Sequence, residues 1–286
     1  MHRSELNLSG IWVPLVTPFE GGAVDHAGLR RIVVRCAGAG VAGFVACGST
    51  GEPWALDDTE QQAVLQTVLE TAGGVPVLMG LAGNHEGALH ARLRRFAEWP
   101  IAAFLVPPPY YARPSQAGLV HWFNRLADAS ARPIVLYDIP LRTGVRIEPA
   151  TALQLAAHPR IVGIKDCGGS MGDTQALIAD GRLQVLAGDD ARIFDTLCAG
   201  GAGAIAASAH VRTERFVAMH RAVAEQRLDD ARRIAQELAP LIRALFAEPN
   251  PAPLKALLAH EGLISDELRP PQVAASAPLR QQLAML

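Results

Sequence analysis

Eight short runs of Val, Ile, Leu and Phe recur through the first three quarters of the chain, and they restrict its fold more than any other feature. They are "IWVPLV" from Ile11, "GFVAC" from Gly43, "PVLMGL" from Pro76, "AAFLV" from Ala102, "PIVLY" from Pro133, "IVGIK" from Ile161, "QVLAG" from Gln184 and "GAIAAS" from Gly203. Their apolar character is nearly continuous rather than alternating, as strands covered on both faces of a parallel sheet require. Helical patterns lie between them. The clearest follows the second run, where Asp57 and Glu60 have capping-box spacing and Val64, Leu65, Val68 and Leu69 share a face before Gly73-Gly74 ends it. The runs start about 20 to 33 residues apart, and no GxGxxG follows the first. Eight such units predict an α/β protein, a closed (β/α)8 TIM barrel rather than an open dinucleotide-binding sheet.

With 286 residues the chain has the length of one such barrel plus an addition. The expected division is a barrel over 1–212 and a C-terminal helical extension over 213–286, its helices broken at Pro240, at "EPNPAP" and at "RPP" near Arg269. Half the residues are hydrophobic and 19% charged, a globular composition, and the net charge of −2 gives no preference for nucleic acid or membrane. The four cysteines have no CxxC spacing and the nine histidines no HExxH pair, so neither a disulfide framework nor a metal site is expected. The N-terminus lacks an apolar h-region, and no apolar run approaches the roughly 20 residues that span a bilayer. The expectation is a soluble protein of the reducing cytoplasm.

The basic residues point to the chemistry. Of 26, only Lys165 and Lys255 are lysine. A position that keeps lysine where the chain otherwise writes arginine needs what a primary amine alone offers: loss of a proton and attack on a carbonyl. The alternative for Lys165, at the end of the sixth run, is an ammonium that reaches past the strand to water.

In a barrel, chemistry gathers at the C-terminal ends of the strands. There the sequence places "GSTGE" (Gly48 to Glu52), "PPPYY" (Pro107 to Tyr111), "YDIPLRTG" (Tyr137 to Gly144), Lys165 and "AGDD" (Ala187 to Asp190). All three tyrosines, Tyr110, Tyr111 and Tyr137, fall at two of these ends. Together they suit imine chemistry on a small keto acid. An amine desolvated by the barrel is expected to have a lowered pKa. Ser49 and Thr50, in a glycine-flanked turn, can hold a carboxylate, and Tyr137 can shuttle protons. No cofactor is needed for such chemistry. Glu52 is read as an anchor for its loop, and the Asp pair of "AGDD" as helix caps.

The motifs "VPLVTPF", "GSTGE", "PPPYYARPSQ", "YDIPLRTG", "GIKD", "AGDDA" and "EPNPAPLKALL", in this order over nearly the whole chain, resemble the pyruvate-dependent class I lyases of the dihydrodipicolinate synthase and N-acetylneuraminate lyase superfamily. The resemblance implies that Lys165 forms a Schiff base with pyruvate, that Tyr137 is the proton relay bonded to the hydroxyl of Ser49, and that Thr50 binds the pyruvate carboxylate. It further implies that Tyr111 completes the relay from a neighbouring subunit, in a homodimer or homotetramer, and that Gly188 and Ile205 line the pocket. Arg142, in "LRTG", matches the arginine that in the synthases pairs with the carboxylate of aspartate semialdehyde. It therefore implies condensation of pyruvate with L-aspartate 4-semialdehyde.

The chain also departs from the family pattern: Ser49 stands for threonine, Pro53 and Trp54 follow "GSTGE", and His210 replaces an asparagine. Asp58 and Gln61 occupy positions where lysine-inhibited enzymes place histidines, so weak or absent lysine inhibition is expected. The alternatives are an aldolase or dehydratase for another 2-keto acid, signalled by Trp54, and an inactive ligand-sensing barrel. A pyridoxal-phosphate enzyme would show a dedicated phosphate-binding signature, which the sequence lacks.

Overall fold

The computed structural model describes residues 6–286. Its eight barrel strands are β1 (Gly10–Pro14), β2 (Gly43–Ala46), β3 (Val77–Gly80), β4 (Ala103–Val106), β5 (Ile134–Asp138), β6 (Ile161–Asp166), β7 (Gln184–Ala187) and β8 (Gly203–Ile205). They close in the order β1-β8-β7-β6-β5-β4-β3-β2, one strand for each apolar run, as expected for a (β/α)8 barrel. Every residue of β1 to β6 and of β8 is buried, which explains why the runs do not alternate. A two-stranded hairpin, Phe19–Glu20 with Ala23–Val24, follows β1.

The helices are α1 (His26–Gly38), α2 (Asp58–Thr71), α3 (Glu86–Arg95), α4 (Gln116–Ala129), α5 (Pro140–Thr143), α6 (Pro149–Leu155), α7 (Met171–Asp180) and α8 (Ile193–Cys198), then α9 (Thr213–Ala224), α10 (Leu228–Leu245), α11 (Ala252–His260) and α12 (Ala277–Leu283). The capping box of α2 is present. Glu60 N–H donates to Asp57 Oδ1 at 2.8 Å, and Asp57 N–H donates to Glu60 Oε2 at 3.1 Å. None of these helices is long and apolar enough to cross a membrane. By compactness the described residues group into two units: Leu78–Ile205 with residues 6–10, and Ile11–Val77 with Ala206–Leu286.

One expectation fails. Pro240 does not break the tail but lies inside the continuous α10. An interior proline loses one hydrogen bond and costs a helix about 3 kcal/mol. Here it sits on the exposed side, as does Gln236, whose carbonyl it leaves unbonded. Ile234, Leu238, Leu241, Ile242 and Leu245 stay buried on both sides of it, and burial of a whole apolar face outweighs the local loss.

Strand pairing positions the chemistry. In β5 and β6, Tyr137 is the register partner of Lys165 and Asp138 of Asp166. Asp138 Oδ1 accepts the N–H of Ile147 at 2.8 Å, and Asp166 Oδ2 accepts the hydroxyl of Thr174, on α7, at 2.6 Å. The two aspartates therefore face the helix layer. Alternation along the strands puts Tyr137 and Lys165 on the opposite, inner face.

Candidate active site

Within the unit built on β3 to β8, Lys165 is only 5% exposed, and its Nζ lies 4.3 Å from the centroid of the Tyr137 ring. The two side chains also share a hydrogen bond. Gly188, just past β7, is the third wall. A Cβ there would lie 2.3 Å from Cys167 Sγ, 2.7 Å from Lys165 Cγ and 2.9 Å from Lys165 Cε, so only glycine lets the lysine stem run past the end of β7. Its N–H donates to the Asp166 carbonyl at 2.9 Å. Ile205, the last residue of β8, is fully buried.

The expected fall in the Lys165 pKa is not found. Burial acts on it most strongly and downward, but Tyr137, Cys167 and buried Asp190 together favour the charged amine, and the net direction is upward. The resting group is the ammonium. The apolar run around Lys165 specifies desolvation alone, because the opposing groups arrive from β5, the end of β6 and the turn after β7. Burial likewise pushes the Cys167 thiol up to about 12, so it is no competing nucleophile. In the "AGDD" turn only Asp189 is a cap, accepting the N–H of Ala191, while Asp190 is buried beside the lysine.

Tyr111, in the loop after β4, and Arg142, on the short α5 that follows β5, are both exposed, Tyr111 at 94%. Arg113 ties the two segments together by donating from Nε to the Gly144 carbonyl at 3.0 Å.

The other unit holds the "GSTGE" turn, a single 3-10 turn over Ser49–Gly51 closed by Glu52. Thr50 is buried and its Oγ1 accepts from Asn250 Nδ2 at 3.0 Å. Glu52 is fully buried against Lys255, with Nζ 2.5 Å from Oε1. Burial pushes Glu52 up and Lys255 down, each opposed by the other's charge. Glu52 is thus the anchor it was expected to be, but its partner and Asn250 were not foreseen. They lie about two hundred residues away, and the one signal in the sequence was the scarcity of lysine. Among the described residues, no group of three His, Cys, Asp or Glu is placed to hold a metal ion.

His210, in the turn after β8, is fully buried; its Nε2 accepts the Val16 N–H at 3.1 Å and its Nδ1 donates to the Ala207 carbonyl at 2.8 Å. These partners fix the neutral Nδ1–H tautomer. Burial lowers its pKa to about 4.

A 4-hydroxy-tetrahydrodipicolinate synthase of Clostridium acetobutylicum is 36% identical over 97% of this chain and 99% of its own length. One of Hyphomonas neptunium is 41% identical over 92% of each chain. The crystal structure of dihydrodipicolinate synthase from Thermotoga maritima superimposes with a TM-score of 0.95 at 31% identity, covering 97% of both chains. A dihydrodipicolinate synthase variant described as monomeric gives a TM-score of 0.94 at 31% identity, covering 96% of this chain and 94% of its own. Residues 7–286 match the pattern of the dihydrodipicolinate synthetase family, and the chain belongs to that family.

Proposed function

We propose that the protein is a Schiff-base lyase that condenses pyruvate with L-aspartate 4-semialdehyde to 4-hydroxy-tetrahydrodipicolinate, on the route to diaminopimelate and lysine. The observation that carries this reading is Lys165, the one amine buried against a tyrosine on the inner face of the strands, in a chain of the family whose relatives bear that name.

Since the resting amine is charged, it must lose a proton before it attacks. Tyr137, hydrogen-bonded to it, takes that proton on its phenolic oxygen as it passes its own proton along the relay. Nζ adds to the C2 carbonyl of pyruvate, the tyrosine returns the proton to the departing hydroxyl, and one water leaves as the imine forms. Loss of a C3 proton gives the enamine, whose C3 adds to the aldehyde carbon of the second substrate. The amino group of that substrate then displaces Nζ from C2, closing the ring and freeing Lys165. In this proposal Ser49 and Tyr111 extend the relay from Tyr137, Thr50 and the neighbouring amides hold the pyruvate carboxylate, and Gly188 and Ile205 line the pocket. Arg142 pairs with the carboxylate of the semialdehyde.

The exposure of Tyr111 supports its working in a neighbouring subunit, hence a homodimer or homotetramer. The proposed location is the cytoplasm. The proposed division is a barrel over 1–212 and an extension over 213–286. Trp54, 42% exposed just after the "GSTGE" turn, favours the second reading, a pyruvate-dependent aldolase or dehydratase acting on another 2-keto acid. Borohydride reduction in the presence of pyruvate, followed by peptide mass analysis, tests the mechanism common to both. The adduct is expected on Lys165; its absence, or an adduct on Lys255, refutes the assignment.

A further inference from the structure

Both lysines of the chain are buried, and the chemistry above uses only one. Lys255, on α11, is fully enclosed. Its Nζ lies 2.5 Å from Glu52 Oε1, donates to the Glu267 carbonyl at 2.9 Å and sits 4.2 Å from the centroid of the Phe19 ring. An ammonium has three donors and fits one carboxylate oxygen, one carbonyl and a ring face; a guanidinium has five in a wide fork, and several would be buried unpaired. Arg269 shows the contrast on the same ring, 4.4 Å from its centroid. Its fork is met by both oxygens of Glu60 and by the carbonyls of Ala55 and Gly22.

The partner of Lys255 closes the "GSTGE" turn in an unusual conformation. Glu52 has a φ of 52°, in the left-handed region that a residue with a side chain enters at a cost, and its N–H reaches back to the Ser49 carbonyl at 3.3 Å. Gly51 is held by the Thr17 hydroxyl, which donates to its carbonyl at 2.7 Å, and a Cβ on it would lie 2.9 Å from the Leu15 carbonyl oxygen. Thr50 is held by Asn250. Because the Asn250 amide donates to Oγ1, the hydroxyl's own proton is directed to an acceptor, as carboxylate binding requires. Three consecutive residues of one turn are thus fixed by three side chains from two segments, Thr17 after β1 and Asn250 with Lys255 in the C-terminal tail.

We propose that Lys255 is a positioning residue for keto-acid binding: its buried ion pair with Glu52 pins the left-handed end of the turn and so sets the hydroxyls and amides of Ser49 to Gly51 that receive the carboxylate. This inference rests on the proposed function, in which that turn holds pyruvate.

The test is borohydride trapping on Lys165 as a function of pyruvate concentration, with thermal unfolding alongside, for the parent, Lys255→Arg, Lys255→Met and the double variant Glu52→Gln/Lys255→Met. The single methionine variant strands a buried carboxylate and can fail to fold; the double variant removes both charges at similar volume and decides the matter. Lys255→Arg and the double variant are expected to raise the half-saturating pyruvate concentration about tenfold, more than they lower the trapped yield, with the double variant melting within a few degrees of the parent. Half-saturation within twofold of the parent in either variant overturns the proposal, and so does a double variant that does not fold, since the pair would then be only structural. A parent protein that traps no pyruvate overturns the proposed function and this inference together. A trapping parent with unchanged variants overturns this inference alone.

Discussion

His210 should make the protein lose stability in mild acid, in an amount its surroundings define. The neutral ring accepts the Val16 N–H at Nε2, so protonation would set two donors face to face inside a fully buried site. Its folded pKa of about 4 lies below the ordinary value of 6.5, chiefly through burial, so the unfolded chain takes up the proton first. The stabilising contribution is complete above pH 6.5 and is lost as the pH falls from there toward 4. At 1.36 kcal/mol per unit, the full difference is about 3 kcal/mol, most of it gone by pH 4.5. That is a large share of a typical stability of roughly 5–15 kcal/mol. Urea unfolding at several pH values between 7.5 and 4.5 should be compared for the parent and His210→Asn, whose side-chain oxygen and amide can keep one bond to each partner. Other titrating groups cancel in the difference, including Asp138, which burial pushes up to about 6 and which acts in the opposite direction. The parent should lose roughly 2–3 kcal/mol more than the variant over this range. Parallel pH profiles would refute the assignment of a buried neutral imidazole.

Gly188→Ala should cut kcat/KM at least a hundredfold and lower the yield of trapped Lys165, because the added methyl overlaps Cys167 Sγ and the lysine stem; near-parent trapping would show that the stem can be rerouted. Arg142→Ala should reduce kcat/KM for aspartate semialdehyde by about a hundredfold or more while leaving pyruvate trapping on Lys165 intact, and an unchanged rate would favour a different aldehyde. Millimolar lysine should leave steady-state turnover unaltered, since the Gln61 amide is engaged by the carbonyls of Pro53 and Leu56 at 3.1 and 3.2 Å; clear inhibition would contradict this.

The strands were legible because a parallel barrel buries both faces of each one, and that demand writes itself into consecutive residues. The cap of α2 was legible for the same reason of locality: Asp57 and Glu60 satisfy each other across three positions. Pro240 misled because the rule applied to it is also local, whereas the burial of Leu238, Leu241 and Leu245 that keeps α10 intact is decided by distant chain. The direction of the Lys165 shift went wrong in the same way. Desolvation follows from the run of apolar neighbours, but the charges that oppose it belong to Tyr137 and Asp190, which strand register brings alongside.

Composition carried information that spacing did not. A chain that uses arginine at every other basic position retains lysine at two, and the structure gives each a different version of one constraint. Lys165 stands over a tyrosine with a buried aspartate in its field, and Lys255 stands over a phenylalanine with a buried glutamate in contact. At Lys255 a compact cation with few donors is satisfied where a guanidinium would not be. Only at Lys165 is the neighbouring ring hydroxylated and able to exchange a proton with the amine. The phenylalanine beside Lys255 can accept none, so the residue type proposed to do chemistry at one site can only hold a charge in place at the other.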